Sequence, residues 1–469
     1  SRPYFVTAGL QNRHLSLWAS HGRYYYADRD VWKWQRPNLF CTNEDLFTQT
    51  IVVPYLIPML QNAGAIVFTP RERDWQRNEI VIDNDDAVKS VYYFEKEASK
   101  RWKKCDSLGF ANRYRLKDGE NPFRMGTVRQ AKATKRKKTS QVSYQPRFKE
   151  AGKYAVYVSY QSLPKSVSDA KYIVYHKGEA TEFSVNQRMG GGTWVYLGTF
   201  DFDKGCNEFN RVVCTNKASR RGVVTTDAVR FGGGMGNIER GGYTSGLPRC
   251  LEGARYYAQW AGAPYKVYGG RKGENDYADD INTRSLMTNW LGGGSVYMPA
   301  KNGKHVPIEL SLALHSDAGY NKDGKSTVGA LAICTTDYND GILNSGISRF
   351  TSKDFARALR DNLVTDLTAQ FGEFGKRYLW DRNYSETRLP EVPSAILEML
   401  SHQNFPDMRI AQDPLGKFYI ARSIYKTILR FVNSNHGTRY VVQPLAPQNF
   451  SITQNQGVAL LSWTAQLDK

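Results

Sequence analysis

The chain has 469 residues, 41% hydrophobic and 13% aromatic, which is ample material for packed cores and excludes a globally disordered polymer. At roughly one domain per ~150 residues it is sized for two or three units, and no apolar run approaches the ~18 residues of a membrane span. Sixty-four Lys+Arg against 45 Asp+Glu give a net charge of +19, which points to an anionic partner, either nucleic acid or another polyanion such as a carboxylate-bearing wall glycan.

The spacing predicts a short strand at 15–18, directly followed by His21-Gly22. From 44 to 62 apolar residues recur at helical spacing (Phe47, Ile51, Tyr55, Met59), and Pro54 and Pro58 should kink or divide the helix. Residues 65–69 read as a buried strand, so the chain opens on a strand, helix, strand order and hence a mostly parallel sheet. Between about 124 and 236 the pattern becomes strand after strand, at 154–160, 172–176, 181–185, 193–202, 211–215 and 223–231, as in a β-sandwich or jelly roll. From about 279 the α/β character resumes, with a helix from 281 and strands at 310–314 and 327–333. A helix from 352 repeats Phe355, Leu359, Leu363, Leu367 and Phe371 at every fourth position, and a strand at 395–400 and a helix at 418–432 follow. The expected fold class is therefore α/β, a mostly parallel sheet flanked by helices and interrupted by an inserted all-β domain. The parts are 1–118, 119–240, 241–440 and a tail at 441–469. The tail reads as the first two strands of an immunoglobulin-like module, which implies a chain continuing past Lys469.

Several motifs read as structure. The cysteines Cys41, Cys105, Cys206, Cys214, Cys250 and Cys334 show no Cys-x-x-Cys spacing for a zinc ribbon, and Cys206 and Cys214 are the pair near enough for a hairpin disulfide. The run 319–326 fits G-x-x-x-x-G-K-[ST], yet a strand and not a helix is expected after it, so it reads as a hairpin turn. Lys132, Lys135, Arg136, Lys137 and Lys138 lack interleaved aromatics and read as a solvated connector into the insert. Asp83-Asn84-Asp85-Asp86 lacks the Gly and closing Glu of a calcium loop and reads as a surface turn.

Three polar residues matter more. In open α/β sheets ligands bind beyond the carboxyl ends of the strands. His21 lies past the first strand, His315 ends 310–314, and Glu398 falls near the end of 395–400, so one cleft can collect all three. Glu44, opening the first helix, can join them. Two His and one Glu are the ligand set of a catalytic zinc with an open position, and a further Glu is the usual acid/base partner.

These residues carry a family resemblance. His21-Gly22, Glu44 in Asn-Glu-Asp-Leu, the segment 63–74, Asn282-Thr-Arg284 with Asn289, Leu312-Ala-Leu-His315 and Val392-Pro-Ser-Ala-Ile-Leu-Glu398 together resemble the zinc-dependent N-acetylmuramoyl-L-alanine amidases of the Amidase_3 type. The inserted segment, with 154–160, Gly190-Gly-Gly-Thr-Trp194-Val-Tyr196 and 226–231, resembles the golvesin or xanthan-lyase-associated domain, and the Pro-rich tail is similar to the start of a fibronectin type III module. Arg23 stands where the family usually has a second Gly, Asp317 stands at its usual Asn, and the Gly-Phe after Glu398 is missing.

The resemblance implies that His21, Glu44 and His315 hold Zn²⁺ and that Glu398 is the catalytic acid/base. The bond cut would join N-acetylmuramic acid to the L-alanine of the stem peptide. It implies peptidoglycan, and not nucleic acid, as the partner, with an exported protein of the periplasm or cell envelope. Arg23, Arg73, Arg284 and Asp317 are candidate substrate-binding residues, and Trp32, Trp34, Trp194 and Tyr196 candidate sugar platforms for a glycan. Residues 190–202 of the insert are expected to cover or flank the zinc cleft. The alternative reading is a catalytically inactive wall-glycan-binding scaffold on the same fold.

Overall fold

The computed structural model describes residues 9–39, 42–85, 92–98 and 100–466. Its largest sheet has six strands: β1 (His14–Ala19), β2 (Ile66–Phe68), β3 (Ile308–Asp317), β4 (Ala330–Cys334), β5 (Lys376–Asp381) and β6 (Ser394–Ser401), in the order β5-β4-β6-β3-β1-β2. Strands β6, β3, β1 and β2 run parallel, while β4 is antiparallel to β6 and parallel to β5. The run 319–326 is therefore not a hairpin turn. It leaves β3, and β6 lies between β3 and the strand β4 that follows it. Asp407 fixes the far end of that connection by accepting from the Val328 and Gly329 amides at 2.8 and 2.9 Å.

Helices cover both faces. The every-fourth apolar stripe of α2 (Phe350–Phe371) and the stripe of α3 (Pro414–His436) pack on Leu15, Leu17, Leu312, Leu314 and Leu397. On the other face α1 (Asp276–Gly292) meets β1, where the Ser16 and Thr288 hydroxyls lie 2.7 Å apart. The expected helix at 44–62 forms with a defect. Val52–Leu56 is π-helical between the α-helical turns Gln49–Ile51 and Ile57–Asn62, which accommodates Pro54, a residue with no amide proton to donate.

The strand pairs of the insert's sheets are antiparallel, and strands before residue 119 also pair into them. Ile80–Ile82 pairs with Val229–Phe231, Tyr93–Lys96 with Gln141–Tyr144, and Lys103–Gly109 with Gly126–Lys132. A four-stranded and a five-stranded sheet share one core that includes Val142, Tyr144, Val156, Tyr172, Phe183, Phe202, Val212 and Phe231. Cys214 pairs across to Tyr172, and Cys206 and Cys214, the two near enough in sequence for a hairpin disulfide, are both free thiols. Cys41 and Asp86 lie outside the described residues. Lys135, Arg136, Lys137 and Lys138 form an exposed turn inside the insert, not a connector into it. In the tail, Gln448–Asn455 and Val458–Thr464 form an exposed antiparallel hairpin. No helix among the described residues is long and apolar enough to cross a membrane.

A buried ion pair joins insert and sheet. Arg230 donates to Glu72 at 2.6 Å with both side chains fully buried, and the Arg230 guanidinium lies 3.8 Å from the Tyr157 ring centroid. Removing Glu72 takes away the nearest counter-charge of a buried guanidinium and leaves it Glu79 at 3.5 Å. Glu72→Ala is expected to lower unfolding free energy by about 3–5 kcal/mol, read from urea denaturation, and a loss below about 1 kcal/mol would show that Arg230 finds another partner.

The Val195–Phe202 strand does not cover the predicted site. Residues 193–197 line a cavity of about 130 Å³ with His14 and Ile66–Phe68, at the amino end of β1, away from His21.

Candidate metal centre

Each predicted ligand is placed by a local device. Asn43 caps the first helix by accepting from the Leu46 amide at 2.9 Å, which sets Glu44 and Asp45 in its first turn. After β1 the chain turns sharply, with Ser20 hydrogen-bonded to Thr48 at 2.7 Å and its amide donating to the Leu314 carbonyl at 2.8 Å. Gly22 is required next: a Cβ there would lie 2.4 Å from the Glu252 carbonyl. Arg71 locks the same turn from behind, donating to the carbonyls of Ala19, Cys250 and Glu252 at 2.5, 3.1 and 3.2 Å.

The result is a buried cluster in which His21, Glu44 and His315 each offer a donor atom within 4.8 Å of the others. His315 Nδ1 lies 2.9 Å from Glu44 Oε1, and His21 Nδ1 lies 3.8 Å from Glu44 Oε2 and 3.4 Å from Asp45 Oδ1. His21 Nδ1 has no hydrogen-bond partner although it is buried. A buried, unpartnered imidazole nitrogen facing a carboxylate and a second imidazole suits a divalent cation, and the donor chemistry suits zinc. Burial holds His21 well below its ordinary pKa, against the pull of Glu44, and so favours the neutral form that ligates metal. Burial also opposes charge on His315, but Glu386 and Glu44 together raise it to about 10.

Glu398 sits beside this group. It is paired in register with His315 on the neighbouring parallel strand, so both side chains project from the same face. Burial pushes its carboxyl up to about 8; His315 pulls against this, and Glu44, Asp317 and Glu386 add to it. Its Oε2 has no hydrogen-bond partner. The four principal residues are thus brought together.

The other expected residues are dispersed. Arg23 lies 4.8 Å over the Trp34 ring, part-exposed near the turn. Arg73 donates to the Val67 carbonyl and lies 4.4 Å over Tyr196. Arg284 is buried, with its guanidinium on Asp280 and Glu386 at 2.9 Å each. Asp317 pairs with Arg377 at 2.5 Å. Trp194 is a core residue packed by Phe110, Phe123 and Trp260, not a sugar platform, and Trp32 packs on Tyr256. Two members of the site escaped the sequence reading. Arg36 places its Nε 3.5 Å from Glu44 Oε2, and Glu386 places Oε2 3.0 Å from His315 Nε2.

Glu252 makes the support of this turn pH-sensitive. Burial pushes its carboxyl from 4.5 to about 7, against the hydrogen bond from Ser245 and the charge of Arg249. Between those values the folded state holds a proton that the unfolded chain has released, so stability falls as pH rises through that window. Glu252→Gln is therefore expected to be more stable than the parent at pH 8 by up to about 3 kcal/mol and nearly equal to it at pH 4. Urea titrations at the two pH values check this, and an equal offset at both would refute it.

Residues 118–233 match the Golvesin C-terminal domain family. A curated relative, the xanthan lyase of Bacillus sp. (strain GL1), is 34% identical over 97 residues, which is 20% of this chain and 10% of the lyase. Among solved structures, the N-acetylmuramoyl-L-alanine amidase of Clostridium difficile 630 aligns at 14% identity over 36% of this chain and 79% of its own, with a TM-score of 0.24. The N-acetylmuramyl-L-alanine amidase of Mycobacterium smegmatis aligns at 19% identity over 37% and 79%, also at 0.24. Paenibacillus xanthan lyase aligns at 21% identity over 33% of this chain and 13% of its own, at 0.26. At TM-scores this low the overlaps are partial, so the site's own residues have to carry the functional reading.

Proposed function

We propose that this protein is a zinc-dependent peptidoglycan amidase that hydrolyses the amide between N-acetylmuramic acid and the L-alanine of the stem peptide. The observation that carries the reading is the convergence of His21, Glu44 and His315 within 4.8 Å, with Glu398 in register beside His315. His21, Glu44 and His315 would hold the zinc, whose chemistry there would be to make a water acidic enough to attack at neutral pH and to polarise the scissile carbonyl.

The chain's own groups do the rest. Glu398, in register beside His315 and with Oε2 free of any hydrogen-bond partner, accepts a proton from the attacking water and returns it to the departing alanine nitrogen. Arg23, stacked on Trp34 near the turn, is the placed cation best able to receive a stem-peptide carboxylate. The net charge of +19 favours such an anionic polymer in general, and the substrate places the protein in the cell envelope.

The test is direct. Purified protein should carry one zinc per chain by elemental mass spectrometry, and muropeptides incubated with it should yield free stem peptides. The absence of both zinc and cleavage would overturn the reading; zinc and glycan binding without cleavage would favour the scaffold alternative.

A further inference from the structure

Glu386 lies on a short helix, Ser385–Arg388, and is buried. Its two oxygens face different partners. Oε1 accepts from Trp18 Nε1 at 2.6 Å and from Arg284 Nη1 at 2.9 Å, and Arg284 is itself anchored on Asp280. Oε2 is left over, and it faces His315 Nε2 at 3.0 Å. The contact is ionic, since the oxygen lies close to Nε2 but off the ring's N–H axis. On the opposite side of the same ring, Nδ1 faces Glu44 and the ligand cluster.

An imidazole ligates a metal through one nitrogen and keeps its proton on the other, and what stands beside the second nitrogen decides which is which. Trp18 and Arg284 hold one carboxylate oxygen in place, so the other is a fixed negative charge at Nε2. Nδ1 hydrogen-bonds Glu44 Oε1 at 2.9 Å through a proton that a metal would displace, and the charge at Nε2 holds the other proton in place, so that the Nδ1 lone pair is then the one free to ligate. A carboxylate needed only to neutralise Arg284 would have no reason to present its second oxygen to His315.

We propose that Glu386 is a positioning residue that fixes the tautomer and orientation of His315, so that its Nδ1 is the metal-ligating nitrogen. The proposal rests on the metal reading of the site and extends it to a residue outside the ligand set and outside the reacting atoms.

The test is zinc affinity of the full chain, measured by competition with a chromophoric chelator for the parent, Glu386→Gln and Glu386→Ala, with the absorption spectrum of the cobalt-substituted proteins alongside. Glu386→Gln keeps an oxygen for Trp18 and Arg284 but removes the charge facing His315, so it isolates the positioning role if the alanine variant folds poorly. Zinc binding is expected to weaken about 10–100-fold in Glu386→Gln, with a changed cobalt spectrum. A variant that melts at lower temperature in its metal-free form but binds zinc within about twofold of the parent has lost only structure, and overturns the proposal. If the parent takes up no zinc, the metal reading itself fails, and that outcome shows in the parent alone.

Discussion

His21→Ala and Glu44→Ala should each lose the bound metal and, with it, muropeptide hydrolysis by on the order of 10³-fold or more. The size follows from what the metal supplies: water whose pKa falls from 15.7 toward about 7, and a polarised carbonyl. Two remaining donors form a weaker site than three. Asp45 is the closest spare carboxylate: its Oδ2 accepts from the Arg36 amide at 3.0 Å, while its Oδ1 lies 3.4 Å from His21 Nδ1 without a hydrogen-bond partner. Burial also raises the Asp45 carboxyl above its ordinary pKa, despite that bond and the nearby arginines. Metal content after gel filtration and stem-peptide release by mass spectrometry are the two measurements. A variant without metal that still cleaves would remove zinc from the reaction. The metal-free parent, prepared with a chelator, should match the variants in activity and recover on adding zinc, whereas the variants should not.

The parts of this site that the sequence displays are those set by local pattern. His315 follows the apolar run 310–314 and Glu398 falls near the end of 395–400, both runs that can only be buried strands, and a histidine or glutamate placed there projects where ligands bind in this class of sheet. Glu44 follows Asn43, a residue whose side chain caps helix starts, so its place in a first turn is equally local.

Glu386 carries no such signal. It sits in a four-residue helix after the exposed edge strand β5, and its partners Trp18 and Arg284 are 368 and 102 residues away in sequence. The pairing of an early strand with the insert was hidden for a related reason. Ile80–Ile82 is three residues long, too short to show an alternation, and is defined by its pairing with Val229–Phe231. Composition also misdirects: Trp194 and Arg284 have the chemistry of ligand-binding residues, yet burial commits the first to an aromatic core and the second to two carboxylates.

Glu398→Gln separates the chemistry from the metal. The substitution keeps the shape of the side chain and its place beside His315, so zinc content should remain near one per chain. What it removes is a group able to take a proton and give it back. General acid/base groups contribute roughly 10²–10⁴-fold, and a loss of kcat in that range is expected, with KM changed much less because substrate contacts persist. Glu398→Asp should recover part of the loss only if the shorter carboxyl still reaches the scissile amide. Stability gives an independent check with a definite sign. The buried carboxyl of Glu398 is harder to ionise than in the unfolded chain, so a neutral amide there should not destabilise the metal-free protein at pH 8. A Gln variant that keeps zinc, keeps its melting temperature and hydrolyses muropeptides at the parent's rate would show that another group moves the proton.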